Sequence, residues 1–214
     1  MLQMNLYAVS KNNLEGGRML KRILLVLTAS LFTVSVACAS PTDEVKKTVD
    51  EVVHIVADKE LKKHEVKRRQ ALKKAISTIF DYSEMAKRSL GKHWNVRTAA
   101  EKKQFAELFA TLLENSYAGK IESYNNEKIV YIKEIVEEEY AEIKSKVVTA
   151  ARDEFTLDYK LFKQNGKWMV YDVVIEGVSL VSNYRSQFNK IITSSSYEKL
   201  VKKLQSKNEE LKAP

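Results

Sequence analysis

EFTLDYKLFKQNGKWMVYDVVIEGVSL, Glu154 to Leu180, is the stretch on which the fold turns. Phe155, Leu157, Tyr159 and Leu161 recur at every second position, the period of a strand with one buried face. Asn165-Gly166 then supplies the two residues that most readily take positive φ, which predicts a tight hairpin. Beyond the hairpin, Trp168, Val170 and Val174 fall on one face, and Met169, Tyr171, Val173 and Ile175 on the other. A hairpin strand that is apolar on both faces must be covered twice, or one of its faces must border a cavity. Glu176-Gly177 ends the strand, and Ser179 stands where a helix N-cap belongs.

Working outward from this hairpin, alternation also marks Lys128–Val136 and Tyr140–Thr149, so four strands are expected over 128–136, 140–149, 154–162 and 167–175. On the N-terminal side the period is near 3.6. Thr42 is placed to cap a helix with the apolar stripe Val45, Val49, Val52, Val53 and Val56, and a partner helix is predicted over Leu61–Phe80. The lysine and arginine run Lys62 to Lys74 forms the outer face of that partner, read either as solvated or as a contact for a membrane or another protein. Asp81 and Glu84 have the spacing of a capping box, Gly91 ends that short helix, and Thr98 with Glu101 opens an amphipathic one carrying Phe105, Leu108, Phe109, Leu112, Leu113 and Tyr117. After the sheet, helices return from Ser179 and again from Tyr197. The class is α+β, an antiparallel curved four-stranded sheet cupped by helices.

The chain has 214 residues with 36 basic and 28 acidic side chains, a net charge of +8. Lys11, Arg18, Lys21 and Arg22 against Glu15 lie in the first 39, which leaves 32 basic and 27 acidic residues and an excess of +5. Such an excess favours anionic surfaces in general, but no Cys-His spacing, RNP-like aromatic motif or dense basic stripe points to nucleic acid. From Met19 the sequence reads MLKRILLVLTASLFTVSVACAS, with Lys21 and Arg22 ahead of an apolar run and Ala37-Cys38-Ala39 behind it, so a secretory signal cleaved after Ala39 is expected. Residues 1–18 read as an upstream leader, and 40–214 as one mature domain. An uncleaved anchor and a lipoprotein processed at Cys38 are the alternatives. Cys38 is the sole cysteine, so the mature chain is expected to hold no disulfide.

Catalytic motifs are scarce. The three histidines, His54, His64 and His93, all fall in the helical half, and HExxH, GxSxG and glycine-rich phosphate loops are absent. Asp158 and Asp172 interrupt otherwise apolar strands, either as bases with raised pKa or as hydrogen-bond acceptors within the fold. The aromatic inventory stands out instead, and large rigid rings either fill a core or hold sheet and helix apart around a cavity.

Three blocks carry a resemblance: FDYSEMAKRSLGKHW from Phe80 to Trp94; the helix with Phe105, Phe109, Leu113 and Tyr117, followed by Ser123-Tyr124; and GKWMVYDVVIEGVSLVSNYRSQF from Gly166 to Phe188. In that order they resemble the MlaC family of periplasmic phospholipid-binding proteins, also called toluene-tolerance proteins, across about residues 41–204. The resemblance implies a nuclear-transport-factor-like cone enlarged by extra helices. It also implies a monomeric periplasmic carrier, without cofactor or catalysis, that passes phospholipid between an outer-membrane lipoprotein complex and an inner-membrane ABC transporter complex. On that reading the acyl tails are expected against Phe105, Phe109, Leu112, Tyr131, Tyr159, Trp168, Tyr171, Val173 and Ile175, with Tyr184 and Arg185 at the rim, Arg185 alternatively pairing with Asp172 or Glu176. The acidic turn Glu137-Glu138-Glu139 departs from the family pattern and bears on partner docking. A small-molecule enzyme on the same cone predicts Asp158 or Asp172 in a polar pocket beside a proton donor, and a structural adaptor predicts a solid core.

Overall fold

The computed structural model describes residues 39–212, so the leader expected over 1–39 lies, apart from Ala39, outside the described residues. Helix α1, Pro41–Ala57, is capped by Ser40 rather than Thr42: the Ser40 hydroxyl accepts from the Asp43 amide at 3.1 Å, and proline occupies the first turn, where its missing N–H costs nothing. The single helix expected over 61–80 is divided. Asp58 accepts from the amides of Glu60 and Leu61 at 2.8 and 2.9 Å and starts the one-turn α2, Lys59–Lys62, after which α3 runs over Glu65–Ile76. The chain then leaves helical geometry because its backbone is taken up by the sheet: the Val170 amide donates to the Ile79 carbonyl at 2.7 Å, and the Asp81 amide to the Val170 carbonyl at 3.0 Å.

Helix α4, Tyr82–Leu90, begins where Asp81 accepts the Glu84 amide and ends at Gly91, whose φ of +56° suits a residue without Cβ. Helix α5, Ala99–Glu122, opens with a full capping box, Thr98 accepting the Glu101 amide while the Glu101 carboxylate accepts the Thr98 amide at 2.7 Å.

Five strands, in place of the four expected, form one antiparallel sheet in the order β1-β2-β3-β4-β5: Lys128–Glu137, Tyr140–Val148, Glu154–Gln164, Lys167–Ile175 and the two-residue Val178–Ser179. The fifth exists because Glu176 and Gly177 take φ of +50° and +76°, a turn tight enough to fold the chain back on β4. Asn165 and Gly166, at +51° and +80°, make the corresponding turn between β3 and β4.

One irregularity decides which side chains meet. Lys160 pairs with Asp172, but Leu161 pairs with Val170, so Tyr171 is an extra residue in β4 and a β-bulge. The bulge reverses the alternation within the strand. Trp168 and Val170 therefore share the inner face with Val173 and Ile175, across from Leu157, Tyr159 and Leu161. Strict period-2 reading assigns these four residues of β4 to opposite faces, and the extra residue is the reason it fails.

The buried side chains separate into a sheet-side group and a helical group. On the inner face, Val45 of α1 and Ile79 pack with Ile143, Tyr159, Leu161, Val170 and Val173. The helical group joins Met85 and Leu90 of α4 and Phe105, Phe109 and Leu112 of α5 to α6, Leu180–Ser194, and α7, Tyr197–Lys212, through Val181, Phe188, Leu200 and Leu204.

Candidate functional site

Between the inner face of the sheet and the helices α1, α3 and α5 lies a cavity of about 740 Å³. Its floor is Ile129, Val147, Phe155, Leu157, Tyr159, Val173 and Ile175. Val45, Val49 and Val52 of α1, Leu72 and Ile76 of α3, and Leu113, Tyr117 and Ile121 of α5 form the walls, and Met85, Val170 and Leu180 line it as well. A space of this size falls in the range of roughly 300–1,000 Å³ occupied by small-molecule sites, and its lining is overwhelmingly apolar.

The phenols of the region are kept neutral. Burial, with the Glu114 carboxylate adding to it, pushes the Tyr82 hydroxyl well above the ordinary tyrosine value, and burial does the same for Tyr159. The Tyr131 hydroxyl, buried near Asp50 and without a hydrogen-bond partner, is pushed up to about 12. The charged groups of the lining are Glu127 and, at an edge where α3 faces α5, Arg69 and Lys73 with Glu114, Lys120 and Glu122.

The two strand carboxylates are engaged in holding the fold. Asp158 accepts from the Ser145 amide at 3.0 Å and the Lys144 ammonium at 2.9 Å, taking the place of ladder bonds between β2 and β3 at a gap in their register. Asp172 accepts from the Ser179 hydroxyl at 2.5 Å and the Val181 amide at 3.0 Å, and so ties β4 to the first turn of α6.

Tyr159, Val173 and Ile175, expected from sequence at the tails, line the cavity. The other expected residues stand elsewhere, each for a definite packing reason. Phe105, Phe109 and Leu112 lie on the stretch of α5 that is packed on α6 and α7; the cavity wall begins one residue later, at Leu113. Tyr184 packs edge-on against Phe109, with ring centroids 5.2 Å apart, as part of the same helical core. Trp168 is on the inner face but beyond the cavity, beside Leu161 and under the Lys163 ammonium at 5.8 Å. Tyr131 shares that face and packs against the sheet core without reaching the lining. Tyr171, the bulge residue, points outward beneath the Arg88 guanidinium, 3.8 Å from the ring centre. Arg185 donates to the Arg88 carbonyl at 2.7 Å, and neither sits at the rim nor pairs with Asp172 or Glu176.

Sequence reasoning passed over the valines of α1 and the neighbours of Tyr159. Phe155 and Leu157 share the parity of Tyr159 within β3 and so were legible as one lining row. The valine stripe was visible as a buried face, but nothing in its periodicity separates a wall against space from a wall against side chains.

Comparison with known proteins yields consistent relatives. The family profile described as MlaC protein matches residues 46–206. The intermembrane phospholipid transport system binding protein MlaC of Haemophilus influenzae is 28% identical over 121 residues, covering 54% of this chain and 56% of that protein, so this match spans little more than half of the relative. Toluene tolerance protein ttg2D of Pseudomonas putida is 26% identical over 176 residues, 79% of this chain and 80% of the relative. Among solved structures, a phospholipid-binding protein from Ralstonia solanacearum, in complex with a phospholipid, superimposes with a TM-score of 0.75 at 26% identity, over 82% of this chain and all of that one.

Proposed function

The chain belongs to the MlaC family, and from that premise we propose that it is a phospholipid carrier that holds the acyl tails of one lipid in the cavity between sheet and helices. The observation that carries this reading is the apolar cavity itself, found in a chain whose relative of the same fold was solved with a phospholipid bound. Two acyl chains contain on the order of 30 methylenes, and exposing each to water costs about 0.8 kcal/mol, so an unaided lipid pays roughly 20 kcal/mol or more to leave a membrane. A carrier lowers that barrier by offering equivalent apolar contact. Valine, isoleucine and leucine walls with un-ionised phenols meet the requirement, and the headgroup phosphate stays at the polar edge because a charge in the apolar interior would be prohibitively costly.

The finer parts of the reading follow the family. Residues 1–39 are removed as a leader, the mature domain 40–214 works in the periplasm, and it exchanges lipid with an outer-membrane lipoprotein complex and an inner-membrane ABC transporter complex. The carrier hydrolyses nothing; the engagement of Asp158 and Asp172 in structural bonds supports this over the enzyme reading.

The test is native mass spectrometry of protein purified from a cell envelope, followed by solvent extraction. Close to one phospholipid per protein is expected. Protein that is repeatedly recovered empty and stable, and that takes no lipid from vesicles, overturns the proposal.

A further inference from the structure

The charged edge of the cavity is built asymmetrically. Val66, Arg69, Gln70 and Lys73 recur at helical spacing and turn one face of α3 toward the cavity, while α3 itself packs along α1 and reaches α5 through side chains. Two ion-pair clusters span the gap: Lys73 to Glu114 at 3.0 Å, and Glu122 to Arg68 and Arg69 at 3.2 and 3.3 Å. Glu122 is the last residue of α5, where the carbonyl end of the helix disfavours a carboxylate, so the two guanidiniums from across the gap offset an otherwise adverse placement.

Exposure sets the two bridging acids apart from Lys73 and Arg69. The carboxylates that bridge the gap are recessed, Glu114 at 18% and Glu122 at 13%, as is Arg68 at 14%, whereas Lys73 is 61% and Arg69 49% exposed; Arg69 also holds Glu65 of its own helix, 62% exposed, at 2.9 Å. An anion arriving from outside therefore meets Lys73 and Arg69 before the two acids that bridge the gap. Lys120, on the same rim and without a carboxylate partner among the described residues, adds to that potential.

Building on the carrier reading above, we propose that Arg69 and Lys73 form a phosphodiester-binding site at the cavity mouth, in which the phosphate of the passing lipid displaces Glu122 and Glu114 and thereby parts α3 from α5. A guanidinium offers a planar fork of donors that suits two phosphate oxygens, and an ammonium offers a compact charge beside it. The exchange preserves charge pairing on Arg69 and Lys73 while it breaks the Lys73–Glu114 and Arg69–Glu122 bridges and leaves Arg68 alone to hold Glu122, so arrival of a headgroup and loosening of the mouth become one event. The apolar lining just inside sets how deep the phosphate travels: the tails proceed and the head stops at the ion pairs.

The experiment measures transfer of phosphatidylglycerol from vesicles to delipidated full-length mature protein, comparing the wild type with two paired variants. Glu114→Gln with Glu122→Gln removes the two bridging acids and leaves Lys73 unpaired among the described residues and Arg69 with Glu65 alone; transfer is expected to rise about five- to tenfold, the scale set by losing two partly exposed ion pairs. Arg69→Gln with Lys73→Gln breaks the Arg69–Glu122 and Lys73–Glu114 bridges, keeps Arg68–Glu122, and removes the phosphate ligands, so transfer is expected to fall below wild type. Diacylglycerol, which has no phosphate, is expected to lose nothing in the second variant. Equal acceleration by both variants, or equal loss for diacylglycerol and phosphatidylglycerol, overturns the site. Thermal unfolding midpoints confirm that each variant is folded, and the charge swap Lys73→Glu with Glu114→Lys, expected to keep wild-type stability but slow phosphatidylglycerol transfer, serves if either fails to fold. Unchanged variants with an active wild type remove this proposal alone, whereas a wild type that takes no lipid removes the carrier reading with it.

Discussion

The two ends of α5 belong to different kinds of interior. Around Phe105 and Phe109 the space is filled by rings: Phe188 meets both edge-on at 5.6 Å, Tyr184 meets Phe109 at 5.2 Å, and Tyr197 stands 6.3 Å from Phe105. Around Leu113, Tyr117 and Ile121 the same helix faces valines of α1 and aliphatic residues of the sheet across open space. Edge-to-face rings interlock and leave no void. Short β-branched side chains held on two rigid elements cannot reach each other, so they leave one. Interlocked rings thus mark where this protein is solid, whereas the rings of the hollow end, Tyr117, Phe155 and Tyr159, stand among aliphatic residues around the open space.

The comparison is broken most severely by truncation. Phe109→Ala opens a new void in the solid end, and a loss of about 3–5 kcal/mol is expected in urea unfolding, with lipid stoichiometry unchanged in the folded fraction. The same truncation at Leu157, whose side chain already faces space, creates no additional closed void and should cost under about 2 kcal/mol. Equal losses at both positions would show that the cavity collapses in solution.

Filling the hollow end is the converse, with a smaller expected effect that falls on binding. Leu157→Trp projects an indole from the floor into the cavity. Bound phospholipid should drop by about tenfold or more, equivalent to about 1.4 kcal/mol, while the unfolding midpoint stays near wild type. Quantitative lipid extraction measures the first and thermal unfolding the second. A variant that keeps its full lipid load places the tails elsewhere.

The secondary structure was largely legible because its signals are local. Thr98 with Glu101, Asn165-Gly166, Gly91 and Ser179 each act within a few residues, and each stands where its chemistry placed it. Two kinds of information were not local. The early end of the helix expected over 61–80, at Ile76, depends on β4 pairing with the backbone of Ile79 and Asp81, a pairing across some 90 positions of sequence that no capping rule contains. The face of each β4 side chain depends on the bulge at Tyr171, and a bulge adds one residue without any composition to announce it. Placing the rings needs both, because period alone leaves open whether a ring fills a core or props a cavity: Phe105, Phe109, Tyr184 and Phe188 fill a core, whereas Tyr117, Phe155 and Tyr159 line the cavity. Tyr159 falls on the cavity floor because β3 keeps its alternation throughout its inner-face row.

Tyr171 gives the finest test of that account, since strict alternation and the bulge send its ring to opposite sides of the sheet. On the outer side it is covered by Arg88 and meets Tyr140 and Phe162 edge-on at 6.2 and 6.1 Å. Tyr171→Leu removes one partly exposed cation–π contact and two ring edges, so a stability loss of about 1 kcal/mol is expected. Lipid affinity should remain within about twofold of wild type, because a change outside the sheet removes no apolar surface from the cavity. Were the bulge absent in solution, the same substitution would alter the cavity floor, and affinity would move while the outer aromatic cluster kept its stability. Measuring both quantities on one variant therefore reads the direction of a single side chain, and with it the register that separates the filled half of the molecule from the open one.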